Sequence, residues 1–150
     1  MRYSGYSLFV LLPTVIMFLS GAQQAAAAQL DLQCPSEVES GAMHIDVKEE
    51  GWLAFVPRAL PLSAAGFAQG EPAMKAGLKP VASEKHADGL QVKWVFEGSY
   101  PHGKWLVCDY ANGMVRYSHK MADDISACSV FYKQSKSGAN SVSLIRCESK

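Results

Sequence analysis

The chain lacks the features that announce chemistry. It has no Gly-x-Ser-x-Gly, no Ser-x-x-Lys and no His-Glu-x-x-His, the local signatures of acyl-transfer enzymes and zinc hydrolases. No glycine loop of the phosphate-cradling kind occurs. Its four cysteines include no Cys-x-x-Cys and have no paired histidines nearby, so neither a metal site nor a dithiol redox site has the spacing it needs. An excess of one charge is also missing: 14 Lys and Arg face 14 Asp and Glu, for a net charge of +0. Nucleic-acid and anionic-membrane binding therefore have no electrostatic support. Neither Asn112 nor Asn140 opens an Asn-x-Ser/Thr acceptor. No apolar run reaches bilayer length, the longest being the twelve residues Leu8 to Leu19. No cofactor is implied by any of this.

What is present begins at the N-terminus. Met1-Arg2 supplies a positive start, Leu8 to Leu19 an apolar core, and Gly21 to Ala28 a small-residue stretch ending Ala26-Ala27-Ala28. This is the pattern of a secretory signal peptide over residues 1–28, cut before Gln29. Pro13 and the alanine tract argue against an N-terminal anchor. Asp31-Leu32-Gln33-Cys34 lacks both the small residue and the leucine-like residue that lipid attachment needs, so Cys34 is free to form a disulfide. Residues 29–150 are expected to be one domain, periplasmic or secreted, without a membrane segment once the leader is gone. A core of that size is modest, and two disulfides would reinforce it.

Three textures follow. Met43 to Val47 alternates apolar and polar, and Trp52 to Val56 is a short apolar run; both read as strands, with Glu49-Glu50-Gly51 as the turn between them. Pro61 to Gly89 reads as irregular, with one short helix of one or two turns starting at Pro72 and capped by Gly77, and a loop over Val81 to Asp88. From Leu90 onward, Gln91–Phe96, Lys104–Tyr110, Val115–Lys120, Cys128–Lys133 and Val142–Cys147 read as strands. The expected fold is mostly β: a curved antiparallel sheet, as a sandwich or partial barrel, with a loop-rich segment and one short helix.

Asn112-Gly113 is a strong hairpin signal. It places Tyr110 opposite Val115, Asp109 opposite Arg116 and Cys108 opposite Tyr117. Leu106, Cys108 and Tyr110 then share a core face with Val115, Tyr117 and His119. Trp105, Val107 and Asp109 share the wetter face with Arg116, Ser118 and Lys120. A second hairpin, turning over Ser135 to Asn140, sets Cys128 directly across from Cys147. That leaves Cys34 for Cys108.

Candidate sites are few. His44, His86, His102 and His119 are scattered, and the carboxylate pairs Glu49-Glu50 and Asp123-Asp124 lie on turns. The aromatics are more informative. Trp52, Trp94 and Trp105 are mainly material for a core, but alternation sends Trp105 away from Cys108 towards Arg116 and Lys120. Either the Pro61–Gly89 region covers that face or Trp105 is exposed. If exposed, Trp105, Arg116 and Lys120 have the composition of a protein-binding hot spot.

The order Cys34-Pro35, Gly51-Trp52, Pro61-Leu62, Gly70-Glu71-Pro72, Leu78, Pro80, Trp94, Trp105-Leu106, Cys108, Tyr110, Cys128 and Cys147 resembles a family of small exported four-cysteine proteins of Gram-negative bacteria, named after a locus tag of typhoid Salmonella. Glu71 stands where that pattern would have a proline. The resemblance implies a periplasmic or secreted bacterial protein and carries no known active site. Periplasmic inhibitors of c-type lysozyme are similar in architecture, but their Ser-Gly-x-x-Tyr inhibitory loop is absent here. The expected function is non-catalytic: an envelope protein that binds another envelope or secreted protein, as an inhibitor, immunity or accessory factor. The alternative is a small envelope hydrolase using dispersed carboxylates.

Overall fold

The computed structural model describes residues 28–135 and 140–150. The signal-peptide reading falls outside the described residues except at Ala28, as does the centre of the 135–140 turn. Nine strands run in chain order: β1 Gln29–Leu32, β2 Glu37–Val38, β3 Leu60–Gln69, β4 Ala82–His86, β5 Gly89–Val95, β6 Lys104–Tyr110, β7 Val115–Lys120, β8 Ile125–Gln134 and β9 Asn140–Ser149. They form two antiparallel sheets that do not close on each other, ordered β1-β9-β8-β5-β4 and β2-β3-β6-β7.

The core lies between the sheets. Val38, Phe67, Leu106 and Tyr110 of one meet Trp94, Val130 and Ile145 of the other, with Phe96 just beyond β5. Phe67 packs edge-on against Trp94 and Phe96, with ring centroids 5.1 Å and 5.4 Å apart. Edge-to-face pairs of this kind add to the area they bury. The sheets are also joined by polar contacts. The Tyr132 hydroxyl donates to Ala65 O at 2.8 Å, and the Trp94 indole N–H donates to Leu78 O at 3.0 Å.

Both disulfides join the expected partners, Cys34 to Cys108 and Cys128 to Cys147. The second rests on a register that one bulge repairs. Near the turn, Gln134 faces Asn140 and Tyr132 faces Val142, one residue off the expected pairing. Ser143 is then skipped, Phe131 faces Leu144, and from there Cys128 falls opposite Cys147. The bulge is held where the Ser143 hydroxyl donates to Phe131 O at 2.9 Å.

The β6–β7 hairpin has the expected register, from Tyr110↔Val115 to Trp105↔Lys120. Asn112 and Gly113 both have positive φ, as the turn requires, and Ala111 joins them at φ 47. On the inward face Leu106, Cys108 and Tyr110 are buried, whereas on the edge strand β7 Tyr117 is 37 % exposed and His119 is exposed.

Four expectations are corrected. Leu60–Gln69, read as irregular, is a ten-residue strand. Its proline, glycine and alanines have low β preference, but pairing along β6 and the inward packing of Ala65 and Phe67 override it. Ala82–His86, read as loop, is a polar edge strand paired with β5. Gly89 starts β5 because a side chain there would meet the Tyr132 carbonyl oxygen. The short helix is one 3-10 turn, Pro72–Met74, and Gly77 bridges to Ala68 instead of capping it. Finally, Met43–Val47 and Trp52–Val56 are not strands, although the turn between them forms, with Trp52 N–H donating to Glu49 O at 3.3 Å. Alternation gives a side-chain pattern, but a strand also needs a neighbour, and neither segment has one.

Candidate functional site

The outer face of the β3–β6–β7 sheet carries all three residues that sequence reasoning proposed. Register alone assembles it in three rungs. Ala68, Trp105 and Lys120 form one; Gly66, Val107 and Ser118 the next; Ala64, Asp109 and Arg116 the third. Trp105 and Lys120 are therefore direct neighbours. Arg116 lies two rungs away, about 13 Å along the strand by the usual rise per residue.

The small residues of β3 make the face concave. Gly66 and Ala68 floor a groove of about 170 Å³, walled by Lys75–Leu78 on one side and by Val107, Asp109 and Arg116 on the other. The 75–78 wall is pinned to β3, where Gln69 N–H donates to Ala76 O and Leu78 N–H to Phe67 O, at 2.9 Å and 2.8 Å. The loop-rich region thus covers part of the face. Val107 is only 6 % exposed, while Trp105 is half-buried and Lys120 exposed.

The polar atoms here are largely committed. Trp105 Nε1–H donates to His102 O at 3.2 Å, leaving the ring to make apolar contact. Arg116 donates twice to the Asp109 carboxylate, at 2.6 Å and 3.1 Å. That hydrogen bond holds the Arg116 guanidinium above its ordinary value. An exposed opposed pair of this kind adds less than about 1 kcal/mol to stability. Its value at an interface is orientation, because a planar fork held in place presents a fixed pattern to a partner.

Sequence reasoning missed a second surface. Trp52, Leu53 and Phe55 are 72 %, 95 % and 79 % exposed. The sequence reads Trp52–Val56 as a strand turning back on Met43–Val47, but the two segments do not pair. The four histidines are all exposed, and His44 makes only a surface contact with Asp46. Among the described residues, no group of three or more His, Cys, Asp or Glu could hold a metal ion.

Lys104 is the exception among charged side chains, buried at 4 % exposure. Its ammonium donates to Asp123 O at 2.9 Å and to Ile125 O, and lies 5.5 Å and 5.7 Å from the ring centroids of Phe96 and Tyr100. Burial pushes its pKa down, against the attraction of Asp123 and Asp124. These contacts hold the strand ends together and leave it no free proton acceptor role.

No curated protein and no solved structure matches the chain. One family model does, over residues 57–148, described as the type VI secretion system Tli immunity protein. The match takes in β3 to β8 and nearly all of β9, including all three outer-face strands and three of the four cysteines. It is a small family, and the Salmonella-derived name of the earlier resemblance is not the name it bears. An immunity family fits a non-catalytic, protein-binding module, and nothing supports the hydrolase alternative. The chain belongs to the Tli immunity protein family of the type VI secretion system.

Proposed function

We propose that this protein is exported, folds with its two disulfides in the bacterial envelope, and binds the toxic effector of a type VI system to neutralise it. The family match over residues 57–148 carries this reading. The disulfides fit an oxidising compartment, and the leader proposed for residues 1–28 would deliver the chain there. The mature N-terminus is then Gln29, at the first residue of β1, which intact-mass measurement of periplasmic material checks. Neutralisation needs no chemistry from this chain; it needs a surface that occupies the effector.

The outer face of β3, β6 and β7 is the surface proposed for that contact, with Trp105 beside Lys120 as its apolar anchor and Arg116 at the wall of the groove two rungs away. Co-expression with the type VI effector it is proposed to neutralise tests the function. Protected cells and a complex that survives gel filtration are expected; neither protection nor complex would overturn it. Trp105→Ala tests the surface. It should weaken the complex by about 2 kcal/mol. Because Trp105 is half-buried, its loss should cost less stability than the roughly 3 to 5 kcal/mol of a core tryptophan. Unchanged affinity would remove Trp105 from the interface.

A further inference from the structure

Between β2 and β3 the chain leaves the sheet at Val38 and rejoins it at Leu60, and those two residues are paired. The base of the excursion is therefore closed. It is also fixed: Cys34 is bonded to Cys108, Leu62 N–H donates to Ser36 O at 2.9 Å, and the buried Tyr110 hydroxyl donates to Pro35 O at 3.0 Å. Met43, half-buried, packs against the core at the root. Beyond it, residues 44–59 belong to neither sheet.

This arm has the sequence of a β-hairpin without the ladder of one. Met43 to Val47 alternates, Trp52 to Val56 is apolar, and Gly51 at φ 81 closes a tight turn between them. Yet neither half pairs with the other or with a sheet, leaving strand-like backbone and large apolar side chains in water together. Exposed apolar residues scattered singly are ordinary, but Trp52, Leu53 and Phe55 lie within four residues at 72 %, 95 % and 79 % exposure. An excursion of this length without strands of its own is uncommon inside a compact fold, and is usually either functional or a linker.

We infer that the arm Met43–Val56 is the element with which the protein enters the effector, Trp52, Leu53 and Phe55 filling an apolar cleft whose rim is basic. The inference rests on the effector-binding reading above and names a contact that the outer-face groove does not include. Charge selects the occupant. From Met43 to Val56 the arm carries Asp46, Glu49 and Glu50 against Lys48, and at its base Glu37 and Glu39 face the single cation Arg58, so acidic charge remains in excess. Those carboxylates would be repelled by an anionic lipid surface and attracted by a basic protein rim. The arm precedes the family-matched segment 57–148, so its role rests on its own exposure and charge.

The test uses the mature chain and the purified type VI effector that it protects against, with affinity measured by calorimetry. Trp52→Ala/Phe55→Ala should bind at least about 30-fold more weakly, the loss typical of a hot spot, with an unchanged melting temperature. Glu49→Gln/Glu50→Gln should slow association and flatten its salt dependence. If the double alanine variant melts lower, Leu53→Asp decides alone, since that side chain is 95 % exposed and cannot be holding the fold. Wild-type affinity in these variants would overturn the inference and leave the immunity reading standing. A wild-type chain that does not bind the effector would overturn both. Arm-dependent binding to phosphatidylglycerol vesicles, or arm-dependent self-association without effect on effector binding, would also overturn it.

Discussion

Lys104 shows how one residue type can act against its usual preference. An ammonium resists burial, yet two carbonyls and two ring faces replace its water. Lys104→Met keeps the stem but strands those carbonyls, and should cost about 2 kcal/mol in denaturant unfolding. The buried phenols set the alkaline limit. Burial raises the pKa of both Tyr110 and Tyr132 above the ordinary 10.0. The folded state keeps those protons longer than the unfolded state, so this stability is present below about pH 10 and is lost as pH rises through the folded values. Lys104, lowered from 10.5, acts in the opposite sense, its burial penalty easing as pH approaches 10.5. The phenols' contribution should therefore fall as pH rises above about 10. Tyr132→Phe should lose about 1 kcal/mol at neutral pH with its bond to Ala65 O, and then decline less steeply in alkali.

At the scale of elements, the β6–β7 hairpin is positioned by β3 as much as by its own turn. Ala111 N–H donates to Pro61 O and Asn112 N–H to Ser63 Oγ, both at 3.1 Å. Those bonds hold Ala111 at φ 47, where a side chain is unwelcome. Ala111→Gly should relieve this and raise stability by up to about 1 kcal/mol, readable as a higher urea midpoint at unchanged slope. A fall in stability would mean that the entropy glycine gives the unfolded chain outweighs the strain. The β8–β9 hairpin carries the same lesson in its register. The Ser143 bulge is what brings Cys128 to Cys147, whose Cα atoms are 4.0 Å apart.

At the scale of the molecule, two sheets that do not close share one core, and the Cys34–Cys108 bridge ties the β1–β2 connection to β6. Its 74-residue separation makes it the more constraining of the two disulfides. In the chain-entropy model such a loop contributes about 4 kcal/mol, against about 3 kcal/mol for the shorter one. Cys34→Ser should therefore lower the melting temperature more than breaking Cys128–Cys147. Non-reduced peptide mapping of that variant should find Cys108 as a free thiol and Cys128–Cys147 intact. The same bridge fixes the root of the arm, so Cys34→Ser should also weaken effector capture if the arm makes the contact proposed.

Much of this was legible because local chemistry decides it. Asn112-Gly113 fixes a turn and so a register, and that register alone pairs Asp109 with Arg116 and sends Trp105 away from Cys108. Strands rich in branched and aromatic residues, such as β6 and β8, announce themselves. The sequence by itself thus determined the β class and the shared face of Trp105, Arg116 and Lys120, whereas the expected Cys128–Cys147 pairing holds because the Ser143 bulge restores the register. It did not determine β3, whose alanines, proline and glycine become a strand only because β6 supplies a partner. Nor did it determine the arm, where strand-like residues stay unpaired because no edge is offered to them. Pairing is a property of two segments brought together, and only the tertiary structure decides which segments meet and which apolar side chains are left in water.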